Sequence, residues 1–365
     1  MKSKKILAAL LLAGVTLSGC VKNGDDTAKE DKSSVVEESS ESASESSAGS
    51  LQAINLDHKI SDEPRYSDTI KIGYSGDLCL GAQNIADLNG YFEENEIDVE
   101  FVNTKSGKDA LGTGQIDALT GEFGGMLVPA TKGLNYVFST ASHSGCKSLY
   151  VLNDSDLNST SDLVGENIAV TNGIGNSGHN ALLRFLYKDG IDPNDVNVKP
   201  VDSAAVIQAL KNEEIKGVIL DDQFAQEFIK SGDIRPIRSL TEDDDFKDEV
   251  CCVTAFNKDF VRENPQLAEL VAAQIEKGNQ YMAENPDESV DILLENNLAS
   301  GDKETAVELT KAYDFSLDNE AGLETIRSYF DDYKDLKLID DSISTDELIE
   351  DYWFPLGNGE VEIKK

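Results

Sequence analysis

The chain has 365 residues, room for about two domains. It carries 69 acidic against 32 basic side chains, a formal charge of -37, while 39% hydrophobic residues with 13 Phe and 11 Tyr supply a core. That composition excludes a wholly disordered chain and argues against a nucleic-acid binder, which needs Lys and Arg to displace counterions from phosphate.

Lys2, Lys4 and Lys5 precede an apolar run from Ile6 to Val15. The run is shorter than the ~20 residues a membrane-spanning helix needs, so it reads as a secretion signal. It ends in Leu17-Ser18-Gly19-Cys20, which looks like the lipobox of bacterial lipoproteins. The expectation is a signal peptide over 1–19 and a lipid-carrying Cys20. Residues 33–50 hold nine Ser and four Glu and nothing to build a core. They read as a solvated, self-repelling tether, and 20–65 is assigned to it. His58 lies there and receives no role.

From Thr69 the pattern changes. Ile70 to Tyr74 alternates as a strand. Ser75 to Cys79 is a loop, and Gly81 to Asn89 suits a helix closed by Gly90. Ile97 to Val102 reads as a strand, Ser106 opens a short helix to Gly112, and Ile116 to Thr120 is a strand. Gly125 to Lys132 suits a helix and Tyr136 to Thr140 a strand. The alternation restarts beyond 155. Asn167 to Val170 is a strand, and a glycine-rich loop leads into the helix His179 to Lys188. Val196 to Val201, Ser203 to Asn212 and Gly217 to Leu220 give strand, helix, strand. Gln223 to Lys230 is a helix and Cys251 to Phe256 a strand. Asn264-Pro265 and Asn285-Pro286 start long helices, and helical pattern continues through Leu348. Strands alternating with helices imply α/β units with mostly parallel sheets.

Several segments together resemble the NitT/TauT-type substrate-binding proteins of ABC importers. They are Lys71-Ile72-Gly73-Tyr74, the helix ending Asn89-Gly90-Tyr91-Phe92, and Ile97-Asp98-Val99-Glu100. Ala110-Leu111 with Gly114-Gln115-Ile116-Asp117-Ala118 looks like a second signature of that family. Ser161-Asp162-Leu163-Val164-Gly165 with Ile168-Ala169-Val170 resembles the opening of its second lobe. The likeness runs from about 69 to 290. It implies a two-lobed, periplasmic-binding-protein-like clamshell. Lobe one would take 66–153 plus 252–365, and lobe two 154–251. It also implies partners: an ABC permease with its cytoplasmic ATPase.

Ligands of open parallel sheets sit beyond the C-terminal ends of the strands. The loops there supply Ser75, Asp77 and Cys79, then Thr120, Gly121 and Glu122, then His143, Ser144 and Cys146. The second lobe supplies Asn172, Gly173, Gly175, Asn176, Ser177 and His179, then Asp221, Asp222 and Gln223. Asn176-Ser177-Gly178 precedes a helix, a place that suits an anion or simply an N-cap. Asp221 and Asp222 suit an amine or a metal, or cap the following helix.

Once Cys20 is set aside, Cys79, Cys146, Cys251 and Cys252 remain. Three readings stand open: disulfides, a soft-metal site with His143 or His179, and plain buried thiols. On a regular strand Cys251 and Cys252 face opposite sides, so only one of them sees the cleft. Gly173, Gly175 and Gly178 meet the spacing of a dinucleotide fingerprint, but no acidic residue closes a ribose-binding strand about 20 residues on. P-loop, HExxH, GxSxG and CxxC patterns are lacking, so no catalytic residue or cofactor is assigned.

The sequence is therefore read as an extracytoplasmic, membrane-anchored, monomeric solute-binding lipoprotein. The resemblance implies a sulfonate, a nitrate-like anion or a pyrimidine-type heterocycle as ligand. A metal-binding member of the same transport class, and a THI5-like pyrimidine-precursor enzyme, are the alternatives. The latter enzymes carry a longer cysteine run than Cys251-Cys252.

Overall fold

The computed structural model describes residue 51, residues 54–359 and residues 361–365. The signal segment 1–19, Cys20 and the Ser/Glu-rich stretch lie outside the described residues.

Two five-stranded sheets organise the body. The first contains β1 (Ile70–Tyr74), β2 (Val99–Asn103), β3 (Ala118–Glu122), β4 (Tyr136–Ser144) and β10 (Val250–Asn257), in the order β2-β1-β3-β10-β4. The second contains β5 (Lys147–Leu152), β6 (Asn167–Val170), β7 (Asn197–Pro200), β8 (Gly217–Asp221) and β9 (Ile234–Ser239), in the order β7-β6-β8-β5-β9. In each sheet four of the five strands share a direction, and the odd strand, β10 or β5, is antiparallel to both neighbours. Each reversed strand is the first one the chain forms after crossing from the other sheet.

The crossings fall elsewhere than the sequence suggested. Lys147–Leu152, expected in lobe one, belongs to the second sheet, so the chain crosses at Gly145-Cys146 rather than near 152–155. Cys251, expected at the end of lobe two, already lies in β10 of the first sheet. β5 and β9 were not anticipated at all. β9 carries Arg235, Pro236 and Arg238 in six residues and sits at a sheet edge, where Pro and charge are tolerated.

Helices cover both sheets. They are α1 (Ala82–Leu88), α2 (Gly107–Gly112), α3 (Phe123–Thr131), α4 (Ser177–Lys188), α5 (Ser203–Lys211) and α6 (Asp222–Lys230), then α7 (Lys258–Glu263), α8 (Pro265–Glu284), α9 (Pro286–Glu295), α10 (Lys303–Ala312), α11 (Asn319–Asp335) and α12 (Thr345–Tyr352). Their starts follow local chemistry. Pro265 and Pro286 open α8 and α9, where a missing N–H costs nothing. Asp302 and Asp318 cap α10 and α11, and Ser344 with Glu347 forms a capping box on α12. β4 and β10 are buried along their whole lengths. The outer edge of β4 is covered where Phe354 N donates to Phe138 O at 2.8 Å.

The end of the expected tether is part of the body. Ile60 is buried, and its N–H donates to Lys364 O at 2.8 Å. The Glu63 carboxylate accepts from Gln266 N and Leu267 N, both at 2.8 Å, so it caps α8 from 200 residues away in sequence. His58 Nε2 lies 3.1 Å from Glu63. The Glu63 carboxylate thus closes a helix end that its own N-cap, Asn264, leaves open.

Helix α8 packs on α1 at backbone contact. A Cβ at Gly278 would stand 2.1 Å from Ala82 O. Gly to Ala inside a helix ordinarily stabilises by about 1 kcal/mol. Here Gly278→Ala is expected to destabilise by about 1–3 kcal/mol through overpacking, read as a lower midpoint in urea unfolding. On the same helix, burial raises the Glu276 carboxyl from 4.5 to about 7. The unfolded chain loses this proton first as pH rises, so native stability falls between about pH 4.5 and 7. Glu276→Gln is expected to match the parent below that window and to melt at higher temperature above it.

Candidate functional site

The site begins at the two crossings. Gly145 and Cys146 both have positive φ, 83° and 86°. A cysteine there is uncommon, because its Cβ crowds the backbone, and such strain concentrates at functional positions. Cys146 N donates to Thr241 Oγ1 at 3.0 Å, and Thr241 lies on the return segment between β9 and β10. The two crossing segments therefore touch.

Strand β10 is irregular where it enters the first sheet. Val250 pairs with Ser144 and Cys252 with His143, so two β10 residues two apart oppose consecutive residues of β4. Cys251 is the extra residue of a bulge, and a bulge re-aims side chains. The expected opposite facing of Cys251 and Cys252 is therefore wrong. The sulfurs of Cys146, Cys251 and Cys252 all lie within 4.8 Å of one another. Cys79, His143 and Cys252 form a second such trio, with Cys252 common to both. Cys146 Sγ and Cys251 Sγ are 2.8 Å apart, and all four cysteines are free thiols.

Electrostatics separates these thiols. The hydrogen bonds from Cys146 and Cys252 bring Cys251 down to about 7, against the opposing effect of burial. The hydrogen bond with Cys146, and then burial, push Cys79 up to about 12. His143 is fully buried. Its Nδ1 is 2.8 Å from Ser144 O, a pure acceptor, so Nδ1 carries the proton. Nε2 has no oxygen or nitrogen partner. The ring packs against Tyr313 and Phe315, with centroids 5.4 and 4.9 Å away.

Beside the thiols lies a charged bridge between the sheets. Lys147, at the start of β5, reaches Glu122 at the end of β3 (2.6 Å) and also pairs with Asp221 at the end of β8. Burial alone would lower Lys147, but Asp221 and Glu122 more than reverse this and hold it well above its usual value. Burial raises Glu122. Nearby, the N-termini of α3 and α4 approach each other so closely that a Cβ on Gly125 would stand 3.0 Å from Ser177 N. Lys108 of α2 donates to Asn176 Oδ1 at 2.6 Å, and Asn180 of α4 donates to Gly124 O at 2.8 Å.

The expected residues divide. Cys79, His143 and Cys146 come together, as do Asp221 and Glu122. Ser75 donates to Asp77 at 2.8 Å at the exposed end of β1. Asn176 and Ser177 sit at the interface of the two lobes. Thr120 is buried inside β3, sharing a 3.0 Å hydrogen bond with Thr254, and Gly121 packs on Met126, because the strand runs on to Glu122. Asp222 is buried with both oxygens taken, by Tyr150 (2.7 Å) and Thr241 (2.5 Å). Neither Asp221 nor Asp222 makes a side-chain cap on α6. His179 accepts from Gly175 N at 3.2 Å and holds its own loop, apart from the thiols.

Sequence reasoning missed Lys147, Lys108 and Arg184. Lys147 carried a signal: it follows Cys146 directly, in a chain poor in basic residues. Arg184 is the largest fully buried side chain. From α4 it donates to Asp332 of α11 (2.8 Å) and in bidentate fashion to Glu249 (2.6 and 2.9 Å), and its guanidinium lies 3.9 Å from the Tyr329 ring centroid. It fastens the second lobe to the C-terminal helices.

The NMT1/THI5-like family model matches residues 83–289, more than half of the chain, and the chain belongs to that family. It is 27% identical over 262 residues, 66% of this chain and 79% of the relative, to a Brucella abortus (strain 2308) protein whose name reads binding protein and gives no ligand. The periplasmic aliphatic sulphonate binding protein SsuA of Escherichia coli superposes with a TM-score of 0.64 at 16% identity, over 79% of this chain and 92% of that one. The periplasmic nitrate-binding protein NrtA of Synechocystis PCC 6803 gives 0.66 at 14% identity, over 78% and 86%. The two-lobed α/β fold inferred from the motifs is thereby borne out.

Removing the buried guanidinium would leave Glu249 without its cation and Asp332 with Lys188 alone. Arg184→Ala is expected to cost about 3–5 kcal/mol, measured by chemical denaturation, and to enlarge the radius of gyration as the lobes part.

Proposed function

We propose that this protein is the lipid-anchored, extracytoplasmic solute-binding component of an ABC importer. One observation carries the reading. Two sheets joined by two adjacent crossings turn strand ends and the N-termini of α3 and α4 toward each other, as a hinged binder requires. Membership of the family and the Brucella relative's name support it. Among the described residues no helix is long and apolar enough to cross a membrane. Attachment through Cys20 is therefore part of the proposal, as is delivery to a permease with its ATPase by a monomer.

The charges bear on the ligand. SsuA and NrtA bind, by their names, a sulfonate and nitrate. In this chain Glu122 and Asp221 both pair with Lys147, close to where α3 meets the start of α4. An oxyanion would have to approach two carboxylates that share one buried lysine. A nitrogen heterocycle, neutral or cationic, would instead find acceptors. Of the ligand classes raised by the sequence, the pyrimidine type fits best. The protein holds this ligand and does not transform it.

Thermal-shift screening of the purified protein tests this. Pyrimidines and related amines are expected to raise the midpoint, by about 2.7 kcal/mol of stabilisation at a hundredfold excess over Kd. Sulfonates and nitrate are expected to leave it unchanged. Stabilisation by anions alone, or turnover of a pyrimidine precursor, would overturn the reading. Fatty-acid labelling in the producing cell is expected to mark the protein and to vanish in Cys20→Ser.

A further inference from the structure

The thiols and the imidazole at the crossings remain unexplained by solute binding in the cleft. We propose that Cys79, His143, Cys252 and one thiolate of the Cys146–Cys251 pair supply the four ligands of one thiophilic metal ion of the Zn(II) or Cu(I) class at the crossings, with Cys252 as the common ligand and His143 Nε2 as the nitrogen donor.

Four observations converge. First, the donors are already gathered: two trios of ligand atoms, each spanning no more than 4.8 Å, share one sulfur. A tetrahedral zinc ion with bonds of about 2.3 Å places its sulfurs roughly 3.8 Å apart, so small rotations suffice. Second, His143 is prepared as a ligand. Its Nδ1–H is spent on Ser144 O, which fixes the tautomer and leaves the Nε2 lone pair buried and without an oxygen or nitrogen partner. That nitrogen faces the Cys79 thiol, so two of the donors are already turned toward each other. Third, the backbone is bent to deliver the sulfurs. Cys146 takes a positive φ of 86°, and Cys251 occupies a bulge that turns it to the same side as Cys252. Fourth, the donor set is soft. Thiolate and imidazole select Zn(II) or Cu(I) over Mg(II) or Ca(II).

Each thiol that binds loses its proton to water, and the metal–sulfur bond replaces the S–H bond with no change of oxidation state. The Lys147 ammonium, adjacent in sequence to Cys146, offsets part of the negative charge so created. Cys146 lies at the outgoing crossing and Cys251 where the returning chain enters β10. Whichever of the two binds, the ion joins a crossing segment to Cys79 and His143 of the first lobe and restrains the angle between the lobes. The inference does not rest on the solute reading: metal binding is read from the cobalt spectrum and solute binding from the thermal shift, so failure of one is distinguishable from failure of the other.

Co(II) titration of the purified, reduced protein under anaerobic conditions is the test. One equivalent is expected to bind with a thiolate-to-metal charge-transfer band and the visible bands of a tetrahedral ion, and Zn(II) is expected to displace it. Cys252→Ser is expected to weaken binding by at least about a hundredfold, beyond the loss typical of outer-shell changes. His143→Gln is expected to weaken binding and shift the visible bands. Cys79→Ser, at a half-buried position, gives a second variant should Cys252→Ser fail to fold, and is expected to lower affinity with the metal-free melting curve unchanged. Absence of the charge-transfer band while all four thiols titrate as free would overturn the proposal. So would a band that survives in Cys252→Ser, or a Cys146–Cys251 disulfide in protein isolated from its own compartment without reductant.

Discussion

The structure turns on the two places where the chain passes between its sheets. At Gly145-Cys146 it leaves the first sheet, and at Val250 it returns. Each passage inserts a reversed strand into the sheet it enters, and those strands, β5 and β10, each lie between two neighbours. Each passage thus runs from the edge strand of one sheet, β4 or β9, into the interior of the other. The hydrogen bond from Cys146 N to Thr241 keeps the two passages in contact. One apolar cluster runs across them, holding Leu78 and Ala82 from one lobe with Leu149 and Ile168 from the other.

Around this axis the charges have a division of labour. Lys147, Glu122 and Asp221 bridge the lobes close to the hinge, and Arg184 with Asp332 and Glu249 fastens them farther out. Both cations are buried and both are matched by two carboxylates. A buried charge is tolerable only with such partners. In a chain with more than twice as many acids as bases, these two buried bases are placed where acids meet.

Much of the fold was legible because it rests on local pattern. β1, β6, α1 and α8 lie within a residue or two of where alternation, Gly90 and Asn264-Pro265 put them, and the family motifs gave the two-lobed plan. What escaped depends on pairing. β5 opens with a lysine and β9 contains Arg, Pro and Arg, so neither shows apolar alternation. The bulge at Cys251 exists only because β10 must match β4, and no window of sequence contains both. Arg184 reads as the polar face of an amphipathic helix until α11 covers it. Ile60 and Glu63 read as tether because their partners, Lys364 and α8, lie hundreds of residues on. His143 and Cys146 were chosen for their chemistry, but only strand register brings Cys252 opposite His143.

The entry of the chain has a mechanical corollary. Tension arriving from the N-terminal side meets Ile60, bound to Lys364, and then Glu63, clamped on the first turn of α8. Both anchor points belong to the half of the molecule that also carries the C-terminus. A pull is therefore borne within that half, before it can reach the crossings.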